Sequence, residues 1–301
     1  MLSIRNLKDI SPSEIVEAFE SAFADYAVSF DTQELFAIWK RRGFKDTLSF
    51  ATFEDNQKDG DNQTDEDTRI VGFTLNGIGY FNGILSAYDT GTGVVKAYRG
   101  QGLSKDIFLH ALPYLKGAGV QQYVLEVMTD NEPAFAVYKG MGFEVSRTFN
   151  CYKCSDLKVL IHALETGSDT KLRDVCIQRT SVESVSKLDA FIDFNPSWQN
   201  SFESLIRADE DVSCLTAMHQ GKVIGYCVFD PVSGDLSCLA VEREFRRQGI
   251  GSMLLKEMVH CVETDFVKCL NIDASCSEIT SFLEKRSFEL LCKQYEMILK
   301  I

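Results

Sequence analysis

The chain has 301 residues, 45% of them hydrophobic and 11% aromatic, and a formal net charge of −13. That length suits two domains of about 150 residues, each with enough apolar side chains for its own core. So acidic a chain repels phosphate backbones and anionic lipid; no nucleic-acid or membrane partner is expected, whereas a cationic amine is compatible.

The first half opens with a strand around Leu2–Leu7, followed by amphipathic helical patterns near Pro12–Ala22 and Thr32–Arg42. Phe50–Phe53 and Ile70–Ile78 read as strands. Between them Glu54–Thr68 carries seven acidic residues, one lysine and no apolar residue, which predicts an exposed acidic loop. Asp55, Asp59, Gly60, Asp61 and Glu66 match part of a calcium-loop template, but Gln57 and Asn62 break it and strands flank it. Strand Gly83–Val95 leads into a glycine-rich turn, and the next helix has Leu103, Ile107, Ala111 and Leu115 on one face. A strand at Gln122–Val127, a helix at Glu132–Met141 and a strand at Glu144–Tyr152 complete an α/β order.

Residues 155–174 read as a linker between a first domain, 1–154, and a second, 175–301. The second half repeats the order: strand Val175–Arg179, helices near Val182–Ile192 and Trp198–Ala208, strands Leu215–His219, Val223–Phe229 and Asp235–Val241. Helix Gly249–Val262, strand Cys269–Ile272, helix Cys276–Arg286 and strand Glu289–Leu299 follow. Trp198 reads either as part of a substrate wall or as packing; His110 and His260 read as surface residues. Ten cysteines are scattered, and the single close pair, Cys151 and Cys154, has no second pair at finger-like spacing, so no metal is expected. No signal peptide or long apolar run is seen, which predicts a cytoplasmic location. Sequence leaves a homodimer open.

One feature is written twice, 147 residues apart: Val94-Val95-Lys96-Ala97-Tyr98-Arg99-Gly100-Gln101-Gly102-Leu103-Ser104 and Val241-Glu242-Arg243-Glu244-Phe245-Arg246-Arg247-Gln248-Gly249-Ile250-Gly251. In each copy a strand runs into Arg-x-x-Gly-x-small and then a helix. Backbone N–H groups and a positive dipole end gather there, which suits a phosphate or pyrophosphate. The candidate cradle is Arg99, Gly100, Gln101, Gly102, Leu103 and Ser104, repeated at Arg246, Arg247, Gln248, Gly249, Ile250 and Gly251. Arg69-Ile70-Val71-Gly72-Phe73 matches Lys222-Val223-Ile224-Gly225-Tyr226 as a second landmark, so the repeat unit is a domain.

Downstream of the first turn stand Asn131, Ala134, Tyr138, Gly142 and Phe143. With Arg99, Gly102 and Ser104 before them, the chain resembles the GNAT superfamily of acetyl-CoA-dependent N-acetyltransferases, over both halves. The resemblance implies two tandem GNAT folds, each a mixed, mostly antiparallel sheet flanked by helices. It implies acetyl-CoA as co-substrate, with the strands ending at Val94, Val95 and Val241 on its pantetheine arm and Asn131 also at the cofactor. It makes Tyr138 the general acid, since a phenol keeps its proton at neutral pH. Asp89, ten residues before Arg99, is the candidate base; Asp235 is its approximate counterpart, and water is the alternative.

The second half keeps its turn, but has Cys276, Ile279, Leu283, Ser287 and Phe288 at the later motif positions. Leu283 cannot donate a proton. The expected function is therefore acetylation of a small-molecule or peptide primary amine by direct attack on the thioester, catalysed by the first domain. Two alternatives stand: a catalytic second domain with a structural first one, as in mycothiol-synthase-like proteins, or a non-catalytic acyl-CoA-binding module. A dehydrogenase is disfavoured, since neither turn reads Gly-x-Gly-x-x-Gly.

Overall fold

A computed structural model describes residues 1–25, 31–55, 68–166 and 172–301. Most of the acidic loop with its partial calcium template, and residues 167–171, lie outside the described residues. The chain forms two compact units. The first comprises Met1–Glu126, Pro133–Glu144 and Met297–Ile301; the second comprises Val127–Glu132 and Val145–Glu296.

In the first unit, β1 (Leu2–Asn6) leads to α1 (Pro12–Phe23) and α2 (Thr32–Arg42). Both helices start at a capping box, Ser11 with Glu14 and Asp31 with Glu34, which satisfies N–H groups the helix itself leaves open. Strands β2 (Phe50–Asp55), β3 (Thr68–Phe81) and β4 (Ile84–Val94) continue an antiparallel sheet in the order β1-β2-β3-β4. Then come α3 (Leu103–Gly117), β5 (Gln122–Met128) and α4 (Glu132–Gly140). β5 pairs with β4 in parallel, as an intervening helical crossover allows. The core lies between the sheet and its helices: Ile15, Val16, Leu35 and Trp39 pack with Phe53, Phe73 and Leu75.

The second unit begins its main segment with β6 (Glu144–Cys154, from Val145) and α5 (Leu157–Thr166). It continues through β7 (Val175–Thr180), α6 (Val182–Val185), α7 (Phe202–Arg207), β8 (Ser213–His219), β9 (Lys222–Asp230), β10 (Asp235–Val241), α8 (Ile250–Val259), β11 (Val267–Asp273), α9 (Ser277–Glu284) and β12 (Glu289–Lys300). β7-β8-β9-β10 are antiparallel neighbours, β10 and β11 are parallel, and β11 pairs antiparallel with β6. Strands β1–β5 and β7–β11 thus follow the same scheme. Each unit is a mixed, mostly antiparallel sheet flanked by helices.

Three expectations differ from what forms. The division at 154 does not hold as a boundary of compactness: residues 145–154 fall in the second unit, where 149–154 pair with β11, and Met297–Ile301 belong to the first. The segment read as a linker contains α5, whose Leu160 and Leu164 are buried with Leu254 and Met258. Its apolar residues Leu157, Leu160, Ile161 and Leu164 follow a helical period, so the signal was present. The helix expected over 182–192 stops at Val185, with one 3-10 turn at Asp189–Phe191. Side chains claim its later carbonyls: Tyr226 Oη donates to Leu188 O (3.3 Å) and Arg246 Nη2 to Phe191 O (2.9 Å). Among the described residues, no helix is long and apolar enough to cross a membrane.

Candidate active site

The parallel pairing of β4 with β5 covers only Ser86–Tyr88 against Gln122–Val124. Asp89 is the first residue beyond it, where the strands part. At the same place β4 carries a bulge on its other edge: Leu75 faces Gly91 and Asn76 faces Asp89, so Thr90 has no partner. An extra residue re-aims the side chains beside it. In β10 the skipped residue is Ser237, between Leu236 opposite Phe229 and Cys238 opposite Val228. Thr90 to Ser237 is 147 positions, as is Arg99 to Arg246. The bulge is therefore duplicated with the turn, and it settles which residues correspond. Asp89 matches Leu236, while Asp235 matches Tyr88.

The bulge brings Asp89 to Tyr138. The Tyr138 hydroxyl donates to Asp89 Oδ2 at 3.0 Å, Thr92 Oγ1 donates to the same oxygen at 2.9 Å, and Gly91 N–H donates to Oδ1 at 3.0 Å. Asp89 is half-buried as a residue, and the protein packed around its carboxyl pushes it above the ordinary carboxylate value. The hydrogen bonds from Thr92, Tyr138 and Gly91 and the charge of Arg42 oppose that rise. Arg42, at the end of α2, donates to Thr90 O at 3.2 Å and so anchors the bulge.

Tyr138 is set by the end of its helix. Gly142 has φ +94, and Phe143 N–H donates to Tyr138 O at 3.1 Å, which folds Phe143 back edge-on to the tyrosine ring. That gives the Gly-Phe pair of the sequence motif a mechanical role. In the second unit Ser287 takes the glycine's place at φ +63, and Phe288 N–H donates to Leu283 O at 3.2 Å. The backbone device survives there, but the phenol is gone. Leu236 and Leu283 are both buried in the second unit's apolar core.

Sequence reasoning missed Glu126, which accepts a hydrogen bond from the buried Tyr88 hydroxyl across the opening between β4 and β5. Burial and then the charge of Glu126 push the Tyr88 phenol well up. The available signal was a lone carboxylate inside the apolar run Gln122–Met128. Tyr123 Oη donates to Asn76 Oδ1 at 2.5 Å behind it.

The turns are alike in both units. Gly102 (φ +83) and Gly249 (φ +87) stand at the N-caps of α3 and α8, and neither helix start has a side-chain cap. The N–H groups of Leu103, Ser104 and Lys105, and of Ile250, Gly251 and Ser252, thus have no cap side chain at the first turn. A Cβ at Gly100 or Gly102 would meet no atom within 4 Å, so the face over the first turn is open. At Gly251 a Cβ would come 3.1 Å from the Phe282 ring, so the small residue there serves the packing of α9.

Arg99 and Arg246, which open the two turns, are turned to the protein's own carbonyls and carboxylates. Arg99 Nε donates to Val94 O, and its other nitrogens reach Ala22 O and, in a bidentate pair, Asp25 at 2.7 and 2.8 Å. Arg246 does the same with Val241 O, Phe191 O and Asp193. Their guanidinium groups tie each turn to the segment after the first helical stretch. The hydrogen bonds from Arg99 hold the Asp25 carboxyl down to about 2. Of the strand-end residues, Val95 already spends its N–H on Val71 O and its C=O on Tyr98 N–H. Arg247 takes the position of Gly100 with φ +59, and Gln248 Nε2 donates to Glu244 O. Asn131 lies in the turn after β5, and its N–H donates to Met128 O at 3.1 Å. Trp198 is buried, with the Arg207 guanidinium over its ring, and fits packing better than a substrate wall.

A sequence profile of the Acetyltransferase (GNAT) family matches residues 18–143 and 181–275. Among curated relatives, a mycothiol acetyltransferase of Nocardioides sp. is 47% identical over 51 residues, 17% of this chain and 17% of the relative. The N-alpha-acetyltransferase 30 of Schizosaccharomyces pombe is 39% identical over 59 residues, 20% of this chain and 39% of the relative. These matches therefore span well under half of those proteins. Among solved structures, a tandem GNAT protein from the clavulanic acid biosynthesis pathway superposes with a TM-score of 0.67 at 14% identity, covering 100% of this chain and 98% of the other. A GCN5-related N-acetyltransferase from Sphaerobacter thermophilus gives 0.66 at 12% identity, with 99% and 95% covered. At such identities the likeness is one of fold.

Proposed function

Because the chain belongs to the GNAT acetyltransferase family, with two such regions in tandem, we propose that it moves an acetyl group from acetyl-CoA to a primary amine and that its first unit carries the chemistry. The observation behind this reading is the 3.0 Å hydrogen bond from Tyr138 to Asp89 at the bulge, in a unit whose counterpart has Leu236 and Leu283.

Acetyl-CoA supplies an activated thioester and a pyrophosphate. The uncapped N–H groups of Leu103, Ser104 and Lys105 suit that pyrophosphate, under the open face left by Gly100 and Gly102. Arg99 supports the cradle through Asp25 and Val94 O, without itself facing the anion. Asp89, with its carboxyl raised towards neutrality, is suited to take the amine's proton. Tyr138 holds a proton to deliver to the departing sulfur, and regains one from Asp89 along the hydrogen bond they share. The proton count then closes within the pair. The second unit retains the helix-start cradle at Ile250, Gly251 and Ser252 without either proton-handling side chain, which fits binding without transfer.

The test is acetyl transfer to a panel of polyamines, aminoglycosides, amino acids and peptide N-termini, followed by the mass of the product. The full chain should acetylate at least one class, and Tyr138→Phe should lose about 10²-fold in kcat with unchanged acetyl-CoA affinity. Full activity in both Tyr138→Phe and Asp89→Asn would move catalysis to the second unit. Tight acetyl-CoA binding with no acetylated product from any acceptor would favour the binding-module reading.

A further inference from the structure

Within the second unit, β6 and β12 are neighbours. Arg147 on β6 reaches Glu296 on β12 at 2.7 and 3.0 Å. Four residues on, Cys151 accepts from Gln294 Nε2 at 3.4 Å and is hydrogen-bonded to Cys292. As the β6 number rises the β12 number falls, so the strands run antiparallel here. Residues 147, 149 and 151 share a face with 292, 294 and 296. Cys151 then faces Cys292 across the pair. Facing residues of antiparallel strands have Cα atoms about 4.5–5.5 Å apart, inside the disulfide range of about 4.4–6.8 Å.

We propose that Cys151 and Cys292 form a peroxide-reactive thiol pair that closes to a disulfide across β6 and β12. Cys151 is buried and Cys292 is half-buried, so solvent reaches the pair from the Cys292 side. The hydrogen bond from Cys292, with help from the Asn271 contact and Gln294, holds the Cys151 thiol below the ordinary thiol range against the opposing effect of burial. That hydrogen bond lets the two sulfurs share one proton, so the more exposed Cys292 sulfur, passing its proton to Cys151, is the one that meets a hydroperoxide. It attacks one oxygen of a small hydroperoxide; the O–O bond breaks, and the departing alkoxide or hydroxide takes a proton from solvent and leaves as alcohol or water. Cys292 is then a sulfenic acid. The Cys151 sulfur, losing its proton to the departing hydroxide, attacks the Cys292 sulfur; S–S forms, S–O breaks and water leaves. Two thiols are oxidised by two electrons in all, and one hydroperoxide is reduced.

None of these residues takes part in the proton transfers assigned to Asp89 and Tyr138, so the pair is tested without an activity assay. The reduced full chain is treated with hydrogen peroxide until the exposed Cys176 is oxidised, as an internal measure of dose. Peptide mapping without reductant should then recover the Cys151 peptide joined to the Cys292 peptide, lighter by two hydrogen atoms. In Cys151→Ser the link should vanish and a dimedone adduct should accumulate on Cys292; in Cys292→Ser both should be lost. If Cys176 is oxidised while Cys151 and Cys292 remain free thiols in the unsubstituted chain, or if either joins a different cysteine instead, the proposal falls. The mapping on the unsubstituted chain decides this even where a serine variant fails to fold.

Discussion

A phenol that already donates to a carboxylate holds its proton in place until a stronger base, such as a departing thiolate, draws it away. That is the situation of Tyr138, and it makes the pH response of the site specific. Asp89 must be ionised to accept a proton, and its pKa is raised in the folded chain. The acidic limb of kcat/KM is therefore expected above the ordinary carboxylate value of 3.8, and Asp89→Asn should remove that limb along with about 10²-fold of the rate. The sign for stability is the opposite of the usual carboxylate case. Folding disfavours the charged form, so stability falls as pH rises from the unfolded value through the raised folded one. Asp89→Asn should accordingly unfold at a higher temperature than the unsubstituted chain at pH 7, read by calorimetry; a lower one would mean that the hydrogen bonds outweigh the burial. Tyr138 was legible because its role is tied to a fixed spacing from Gly142 and Phe143. Asp89 was legible only as a carboxylate near the turn. Nothing in Thr90-Gly91-Thr92 announces a bulge, since a bulge is a property of two paired strands.

Elements make the site durable in ways that single residues do not show. The loop after α2 runs directly over β3: a Cβ on Gly77 would lie 2.1 Å from Arg42 O, and Ile78 N–H donates to Gly43 O at 2.9 Å. Gly77→Ala should cost about 1–3 kcal/mol in denaturant unfolding. It should also lower kcat, because Arg42 would lose its hold on Thr90 O. Helix ends offer a converse case. Ser287 sits at φ +63 where the first unit has Gly142, so Ser287→Gly should stabilise the chain by up to about 1 kcal/mol. Helices α1, α2, α3 and α8 were readable from their apolar period. The segment 182–192 was not, because its carbonyls are taken by Tyr226 and Arg246 from elsewhere in the fold. The side-chain partners of Arg99 and Arg246 were not legible for a related reason: Asp25 and Asp193 lie far away in sequence, and their pairing is invisible before folding.

At the scale of the whole molecule, duplication and decay are separable. The turn, the bulge and the arginine tether recur at one offset, so the scaffold of both units derives from one plan, while the proton-handling pair is present once. If the second unit binds acetyl-CoA without transferring it, Asp89→Asn combined with Tyr138→Phe should abolish acetyl transfer while leaving measurable acetyl-CoA binding in titration calorimetry. Residual transfer at the original rate would assign catalysis to the second unit. The two-domain plan was legible from the repeat, but the division of the chain was not, since which strand joins which sheet depends on partners distant in sequence.

The five residues Met297–Ile301 illustrate this most sharply. They belong to the first unit, where Ile301 N–H donates to Gln121 O at 2.9 Å and Leu299 approaches Gly142, the glycine that ends the helix of Tyr138. Translation therefore passes through Val145–Glu296 of the second unit before it reaches this piece of the first. The unit proposed to be reactive waits for that piece, so a chain interrupted before Met297 leaves the helix of Tyr138 without Leu299 beside Gly142, rather than yielding a half-length enzyme.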